Sequence, residues 1–261
     1  MPESTEQGYA IQVLERAAVL LKYLATRSSG LNISGSASLK DIAAATGLHA
    51  STAHRILNDL AIDHFVERVG TGEYKLGMRL LELGNVVKGR LSVRDCAYDA
   101  MQTLHRSTGQ TVNLSVRQGD DIMYIERAYS ERSGMQVVRA IGGRAPLHLT
   151  SVGKLFLAAE DDYALKNYVM RTGLAGHTVN SITEAAKLKK ELQKTKIEGC
   201  AHDNEELELG VRCMAVGVFD DTRKLVAGLS ISAPADRLQA SWLETLRTTA
   251  LGVSRTLGYS L

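Results

Sequence analysis

The stretch from Leu39 to Leu76 constrains the fold more than any other part of this 261-residue chain. Its pattern predicts two short helices with a tight turn at Gly47 between them, followed by two strands joined by a glycine-rich turn. In the second helix the apolar residues recur at the spacing of one helical face. They are Ala53, Ile56, Leu57 and Leu60. The stretch therefore predicts a winged helix-turn-helix.

Short or forked hydrogen-bonding groups occupy the opposite face of the second helix. They are Ser51, Thr52, His54, Arg55 and Asn58. A polar, non-acidic helix face is what the major groove of DNA accepts. We also expect Ser51 or Thr52 to cap this helix, because a side-chain oxygen at the N-cap accepts a backbone N–H. The alternative is a pair of amphipathic helices in an ordinary α-helical domain.

The net charge of the chain gives little support to this prediction of DNA binding. Residues 1–76 contain seven Lys and Arg against eight Asp and Glu, a formal net charge of −1, and the whole chain carries +2. A DNA-binding surface would therefore need Arg55, Arg68 and Lys75 on one side. Backbone amides at helix N-termini and a second subunit would have to supply the remaining phosphate contacts.

Two further helices are predicted beside this unit. Residues Ile11 to Thr26 form a helix whose packing face is expected to carry Ile11, Leu14, Ala18, Leu21 and Ala25. Residues Gly77 to Lys88 are apolar on more than one face, which indicates a linker helix that pairs subunits, or one that packs on either domain. The expected boundaries are a DNA-binding domain over 1–76, a linker helix over 77–89 and a second domain over 90–261.

The second domain is predicted to contain an antiparallel sheet flanked by helices. The expected strands are Thr111–Arg117, Ile122–Arg127, Gln136–Ile141, Val211–Phe219 and Leu225–Ser232. Alternation along the last two strands places small residues on one face of each. They are Cys213, Ala215 and Gly217 on the first strand, and Gly228, Ser230 and Ser232 on the second. This face predicts either a pocket for a small polar ligand or the close packing of a helix.

A helix that starts near Ser151 and Val152 offers free N–H groups to an anion. The surrounding segment resembles a phosphate loop only faintly, since His148 stands in the place of the first glycine and Leu155 replaces the magnesium-binding hydroxyl. Ordinary helix capping by Thr150 and Ser151 is the alternative.

The three cysteines have neither metal-site nor disulfide spacing, and such a sparse, odd count is typical of a reducing cytoplasm. The polar N-terminus does not look like a signal peptide, and no apolar run approaches the length of a bilayer. A nucleophilic pair of Cys213 with His148 or His202 is conceivable, as is a metal site of Cys200, His202 and Cys213.

Three segments together carry a resemblance to a known family. They are the run Gly199-x3-Asp203-x2-Glu206-x6-Cys213-Met214-Ala215-x2-Val218-Phe219-Asp220, the run GGRAPLHLTSVGK from Gly142 to Lys154, and the winged helix-turn-helix that leads into Leu76 and Gly77. On these residues the chain resembles the IclR family of bacterial transcription regulators, from Val13 to Leu257.

The resemblance implies an α+β protein with an N-terminal winged helix-turn-helix, a linker helix and a C-terminal GAF-like effector domain. It implies dimers or dimers of dimers, and a small-ligand site that carries over onto seven residues. They are Ser151, Val152, Asp203, Val211, Cys213, Ser230 and Ser232. Small-ligand members of the family favour Gly and Ala where Ser151 and Val152 stand, so this pocket should have a different shape.

We therefore expect a cytoplasmic, ligand-responsive transcription regulator without catalytic residues, cofactor or bound metal. Its expected partners are operator DNA, a small organic acid and further copies of itself, and no membrane. The expected DNA-binding residues are those of the second helix together with Arg68 and Lys75. The alternatives are a Cys213-dependent enzyme that acts on a small carboxylate, and a non-DNA interaction module.

Overall fold

A computed structural model describes residues 11–27, 35–88, 92–129 and 141–260 of the chain. The residues cluster into two compact units, one within 1–90 and the other within 91–261. In the described ranges, none of the helices has both the length and the apolar character needed to cross a lipid bilayer.

The N-terminal unit is a winged helix-turn-helix, as the sequence predicts. Its elements in chain order are α1 (Gln12–Arg27), β1 (Ala37–Ser38), α2 (Leu39–Thr46), α3 (Ala50–Ile62), β2 (Val66–Val69), β3 (Glu73–Leu76) and α4 (Met78–Lys88). The three strands pair antiparallel in the order β1-β3-β2. The wing thus has one strand more than expected. A strand of two residues carries too little alternation to be detected in a sequence.

Gly47 forms the turn of the motif as the sequence predicts, whereas the N-cap of α3 differs from the prediction. Gly47 ends α2 in the left-handed conformation with φ of 67°, which glycine adopts without strain. The expectation that Ser51 or Thr52 caps α3 is wrong. The helix already begins at Ala50, and His49 stands at the N-cap without a side-chain capping bond.

The core of the N-terminal unit corrects the expected face of α1. Leu20 and Leu24 are fully buried, whereas Ile11 and Leu14 are 67% and 64% exposed, and Ala18 is exposed as well. The helix carries two apolar stripes, and only one of them packs against α2 and α3. Periodicity alone could not tell which stripe the fold would bury.

The C-terminal unit is an antiparallel sheet with helices on both sides, so the chain as a whole is α+β. Its elements are α5 (Val93–Thr108), β4 (Thr111–Gln118), β5 (Asp121–Ala128), β6 (Arg144–Pro146), α6 (Ser151–Ala158), α7 (Asp162–Thr172), α8 (Ala185–Glu198), β7 (Cys200–Asn204), β8 (Val211–Phe219), β9 (Leu225–Pro234) and α9 (Trp242–Thr256). The six strands lie in the order β6-β5-β4-β9-β8-β7.

Four of the five predicted strands are confirmed as β4, β5, β8 and β9. Most of the fifth, Gln136–Ile141, lies outside the described residues, and Ile141 itself stands in a turn. Sequence reasoning missed β6 and β7. Both are short edge strands, and β7 contains His202, Asp203 and Asn204, which give it no apolar alternation.

The two faces of the sheet differ in what covers them. Helices α5 and α9 cover one face with an apolar core that includes Met101, Leu104 and Leu229. Helix α6 covers the other face, where Val152 and Phe156 belong to a second core with buried residues of α7 and α8. Hydroxyl, amide and carboxyl groups of the sheet project toward α6 on this second face.

Candidate DNA-binding surface and effector site

Helix α3 separates its apolar and polar residues as the sequence predicts. Ala53, Ile56 and Leu57 are buried in the core of the N-terminal unit. The predicted DNA-binding residues lie on the opposite side. Ser51, His54 and Arg55 are exposed there, and Thr52 and Asn58 are half-buried.

The polar face of α3 is braced by the wing through Asn58. The amide oxygen of Asn58 accepts hydrogen bonds from the Arg68 guanidinium and, at 3.4 Å, from the Tyr74 hydroxyl. The amide nitrogen of Asn58 lies 3.4 Å from the ring nitrogens of His54. Asn58 therefore fixes the wing relative to α3. Within the described residues, Arg55 has no hydrogen-bond or ion-pair partner.

Lys75 does not share a side with Arg68, contrary to the arrangement that a common basic surface requires. In the β2–β3 ladder Arg68 pairs with Tyr74, and Glu67 pairs with Lys75, so the two pairs project from opposite faces of the wing. The Lys75 ammonium lies 2.9 Å from the Glu67 carboxylate. Hydrogen bonding to Lys75 lowers the pKa of Glu67. The Glu67 carboxylate is therefore ionised at neutral pH and offsets the charge of Lys75.

Strand register gathers three of the predicted effector residues into one row across the second face of the sheet. Asp203 on β7 pairs with Cys213 on β8, and Cys213 pairs with Ser232 on β9. The Cys213 Sγ lies 3.0 Å from the Ser232 Oγ. Val211 lies two residues from Cys213 on the same strand face and is half-buried.

The next row of this face adds a residue that sequence reasoning missed. Ser230 pairs with Ala215 on one side and with Asn113 of β4 on the other. The buried Asn113 amide donates to the Ser232 hydroxyl at 3.1 Å. Thr111, Asn113 and Ser115 alternate with apolar residues along β4. That alternation is the signal that could have identified Asn113.

The first turn of α6 stands over this face and leaves two amides open. The cap is Thr150, whose hydroxyl accepts the Gly153 N–H at 3.0 Å. In the described part of the chain, the N–H groups of Ser151 and Val152 have no acceptor. The same holds for the hydroxyls of Ser151 and Ser230, although both residues are only 3% exposed.

Val152 shows that helix packing accounts for part of the small-residue face. A Cβ atom added to Gly228 would lie 2.5 Å from Val152 Cγ1. The glycine end of the face therefore serves the close approach of α6. Ser230 and Ser232 remain as the polar part of the same strand face.

A buried ion pair beside the row is the largest electrostatic feature that sequence reasoning missed. Lys154 is fully buried, and its ammonium lies 2.5 Å from the Glu206 carboxylate and donates to the His202 carbonyl oxygen at 2.7 Å. The Glu206 N–H donates to the Asp203 carboxylate at 2.8 Å. In the sequence, Lys154 stood out as part of the weak phosphate-loop match and as the end of the family-like run from Gly142, and neither match indicated a buried ion pair.

Asp203 stands at the boundary between its charged and neutral forms. Burial raises the pKa of Asp203 to about 7, and the charge of Glu206 adds to the increase, while the bond from the Glu206 N–H opposes it. Its carboxyl group can therefore donate or accept a hydrogen bond near neutral pH.

The predicted alternatives that use Cys213 are not assembled by the fold. His148 is buried, and its two ring nitrogens contact the Tyr168 hydroxyl at 2.7 Å and the Ala175 carbonyl oxygen at 3.1 Å. His202 pairs with Met214, so it projects from the face of the sheet opposite to Cys213. Neither histidine can activate the Cys213 thiol, and the metal set of Cys200, His202 and Cys213 is wrong for the same reason.

A cavity of about 600 Å³ lies at the other end of α6. It is lined by Arg117, Gly119, Phe156, Ala159, Glu160, Lys224, Leu225 and Val226. None of the predicted effector residues belongs to this lining. The cavity is therefore a separate feature of the C-terminal unit.

Two family models match the chain and together cover most of it. The model described as "IclR helix-turn-helix domain" matches residues 13–70. The model described as "Bacterial transcriptional regulator IclR C-terminal" matches residues 86–255. The two matches correspond to the two units of the structure.

Curated proteins and solved structures agree with these matches. The chain is 33% identical over 258 residues to the HTH-type transcriptional regulator XynR of Escherichia coli (strain K12), covering 95% of this chain and 98% of that protein. It is 32% identical over 261 residues to the HTH-type transcriptional repressor AllR of Salmonella typhi, covering 98% and 93%. The crystal structure of the Agobacterium tumefaciens repressor BlcR superposes with a TM-score of 0.84 at 24% identity, covering 97% of this chain and 100% of that one.

The relatives are transcriptional regulators, and the BlcR structure shares the fold of this chain. The helix-turn-helix with its exposed polar α3 is the DNA-binding part, and the unit built on the six-stranded sheet is the effector part. The chain belongs to the IclR family of bacterial transcriptional regulators.

Proposed function

We propose that this protein is a cytoplasmic regulator that binds operator DNA through α3 and the wing, and that a small organic acid held beneath α6 controls it. One observation carries the ligand part of the proposal. Unpaired N–H groups at Ser151 and Val152 and unpaired hydroxyls at Ser151 and Ser230 occur together in a buried setting. Buried polar groups normally have partners, so this set favours a ligand that accepts hydrogen bonds.

A carboxylate is the ligand group that fits such donors. The N-terminus of α6 carries a partial positive charge that favours an anion, and a hydroxyl donates to a carboxylate oxygen. Asp203 sets a second condition, because an ionised carboxylate would repel the ligand. With its pKa near 7, Asp203 binds as a neutral donor or accepts a hydroxyl proton from the ligand.

These conditions together favour a small oxo-acid or hydroxy-acid. A hydroxyl or hydrated oxo group would meet Asp203 while the carboxylate lies on α6. Val152 is larger than the residue that small-ligand members of the family favour, and it narrows the site by its packing on Gly228. We infer that Cys213 is a wall of the site and a weak donor, with Ser232 and Asn113 behind it.

The double substitution Ser230→Ala and Ser232→Ala tests the site. Operator affinity would be measured by fluorescence anisotropy with and without a panel of short-chain oxo-acids, hydroxy-acids and a hydroxybenzoate. The variant should keep its operator affinity and lose the response to the acid that shifts the wild type. The matched control is Ser107→Ala, since Ser107 lies on α5, on the other side of the sheet.

A double variant that responds like the wild type at the same acid concentration would place the ligand elsewhere. The cavity lined by Arg117 and Lys224 would then be the next candidate. Loss of operator binding without ligand would instead show that the substitutions disturb the whole protein.

We further propose that the protein acts as a dimer or a dimer of dimers on an operator with two related half-sites. Four apolar residues of α4 each expose about half of their surface in the single chain. They are Met78, Leu81, Leu83 and Val86. Such a helix is more stable when a partner covers it. A second copy would also add the phosphate contacts that one winged helix-turn-helix lacks, since residues 1–76 carry a formal net charge of −1. Sedimentation at micromolar concentration tests this, and a monomer that binds DNA tightly would contradict it.

A further inference from the structure

We propose that Glu198, Cys200 and His202 form a binding site for a borderline transition-metal ion, with Zn²⁺ as the best match. The ligand atoms of the three residues all lie within 4.8 Å of one another. The Cys200 Sγ is 3.9 Å from the Glu198 Oε2 and 4.0 Å from the His202 Nε2. The site is on the α9 side of the sheet, opposite to Asp203 and the proposed effector residues.

The local chain path explains why three such groups meet. Helix α8 ends at Glu198, and Gly199 reverses the chain in the left-handed conformation with φ of 64°. The strand β7 then begins at Cys200, and its alternation returns His202 to the same face. Because β7 is an edge strand of the sheet, none of the described strands covers the outer side of the cluster.

The distances approach those of a tetrahedral metal site. With a zinc–sulfur bond of about 2.3 Å and a zinc–nitrogen bond of about 2.0–2.1 Å, tetrahedral ligand atoms lie about 3.5–3.6 Å apart. The two separations from the Cys200 Sγ require a contraction of about 0.4 Å. The ligand atoms of Glu198 and His202 lie within 4.8 Å of each other and must approach as well. Glu198 is exposed, so its carboxylate can rotate to supply this movement, while Cys200 is held in the apolar core.

The donor set selects the class of ion. One thiolate, one imidazole and one carboxylate suit Zn²⁺ and related borderline ions, whereas Mg²⁺ and Ca²⁺ prefer oxygen ligands only. Three protein ligands leave a fourth position, which water can occupy on the exposed Glu198 side. His202 is half-buried, so solvent also reaches its ring.

Two cations act directly on the site, since Arg247 interacts with the Cys200 thiol and Lys194 acts on both Cys200 and His202. Arg247 donates to the Glu198 carbonyl oxygen at 2.7 Å, and its guanidinium is also paired with Glu244 at 2.7 Å. Lys194 and Glu191 act on His202 with opposite signs. Burial raises the pKa of the Cys200 thiol, so a metal ion must displace its proton on binding. The thiolate formed in this way and the Glu198 carboxylate then supply the negative charge that balances the ion.

Cobalt binding to the full-length, tag-free, metal-stripped protein tests the proposal. Co²⁺ should bind at one equivalent, with a thiolate-to-cobalt charge-transfer band and the visible bands of tetrahedral cobalt, and Zn²⁺ should displace it. Cys200→Ser should abolish the charge-transfer band. Glu198→Gln and His202→Gln should weaken Co²⁺ binding at least about tenfold, since loss of supporting partners alone costs about 10–100-fold.

The matched thiol control is Cys96→Ser, because Cys96 lies on α5 and should leave the spectrum unchanged. Glu198→Gln keeps the test decisive if Cys200→Ser does not fold, because Glu198 is exposed. The proposal is overturned if the wild type shows no thiolate band, if the band survives in Cys200→Ser, or if Glu198→Gln binds Co²⁺ as tightly as the wild type.

Discussion

The polar face of α3 and the polar face of the sheet are the two candidate functional surfaces, and the chain builds them in different ways. The first comes from one continuous helix, and its exposed residues follow directly from helical periodicity. The second is assembled from α6 and four strands, and it joins residues as distant as Asn113 and Ser232, which are 119 positions apart. Continuous sites are readable from spacing, whereas assembled sites depend on strand register.

The charged side chains of the two units also differ in their exposure to water. Arg55, Arg68 and Lys75 are at the surface, where water screens them and a partner changes little. Lys154 and Glu206 are withdrawn from water, so each depends on the other. The same residue types should therefore give small effects in the N-terminal unit and large effects in the C-terminal unit.

The largest expected effect is the loss of Lys154. Lys154→Met leaves the Glu206 carboxylate buried without its ammonium partner, and breaking such a pair costs about 3–5 kcal/mol. We expect the C-terminal unit to unfold at a correspondingly lower urea concentration. Trp242, the only tryptophan of the chain, lies in α9, so its fluorescence follows this unit.

The double variant Lys154→Met with Glu206→Leu is the control for this prediction. It removes both charges and should recover at least half of the lost stability, because neither member of the pair is left buried without its partner. A Lys154→Met protein as stable as the wild type would contradict this difference between buried and exposed charges, since it would show that the buried pair behaves like a surface pair.

The next effect is the pH dependence that Asp203 introduces. Its pKa is raised from 3.8 to about 7 in the folded protein, so the folded state holds a proton that the unfolded state has lost between these values. Stability should therefore fall as pH rises from about 4 to about 7 and then level off. Asp203→Asn should remove this slope. It should also raise the free energy of unfolding at pH 8 by at most about 2–4 kcal/mol.

Urea unfolding at a series of pH values, followed by Trp242 fluorescence, measures this slope. Asp236→Asn is the matched control, because Asp236 is exposed and its loss should leave the slope in place. A slope that is equally steep in Asp203→Asn and in the wild type would show that Asp203 titrates normally.

The sequence predicted the N-terminal unit well because its elements are local. Glycine at the turn and the three buried residues of α3 are consequences of spacing within a short stretch. The failures there concern choices between equivalent local options. Two apolar stripes on α1 are both plausible, and only packing buries Leu20 and Leu24 rather than Ile11 and Leu14.

In the C-terminal unit the sequence predicted which face of a strand a residue occupies, but not which residues of other elements it contacts. Alternation correctly placed Cys213, Ser230 and Ser232 on one face, and register now pairs Cys213 with Ser232. Alternation along β4 also marks the face that Asn113 occupies. Neither its contact with Ser232 nor the Lys154–Glu206 pair could be found this way, because the partners come from other elements. Burial of a lysine in particular contradicts its usual exposure, and only its paired carboxylate permits it.

A smaller effect is expected for Arg55, on the DNA rather than on the fold. Arg55→Ala should cost about 1–3 kcal/mol of operator affinity, because a forked cation that reads guanine or clamps phosphate loses its contact. The fold should be unaffected, since Arg55 is exposed and has no partner among the described residues. Anisotropy at fixed salt measures this, with Arg237→Ala in the C-terminal unit as the matched control.

The smallest effect should come from Lys75, and it sharpens the contrast within the N-terminal unit itself. Lys75→Ala should cost less than about 1 kcal/mol of operator affinity, because Glu67 already offsets the charge at 2.9 Å and exposed pairs contribute little. The slope of affinity against salt should change by at most about one phosphate contact. Glu67→Gln should instead tighten operator binding slightly, since it frees the Lys75 ammonium. If Lys75→Ala costs as much as Arg55→Ala in the same titration, the face of the wing that carries Glu67 and Lys75 also contacts the DNA.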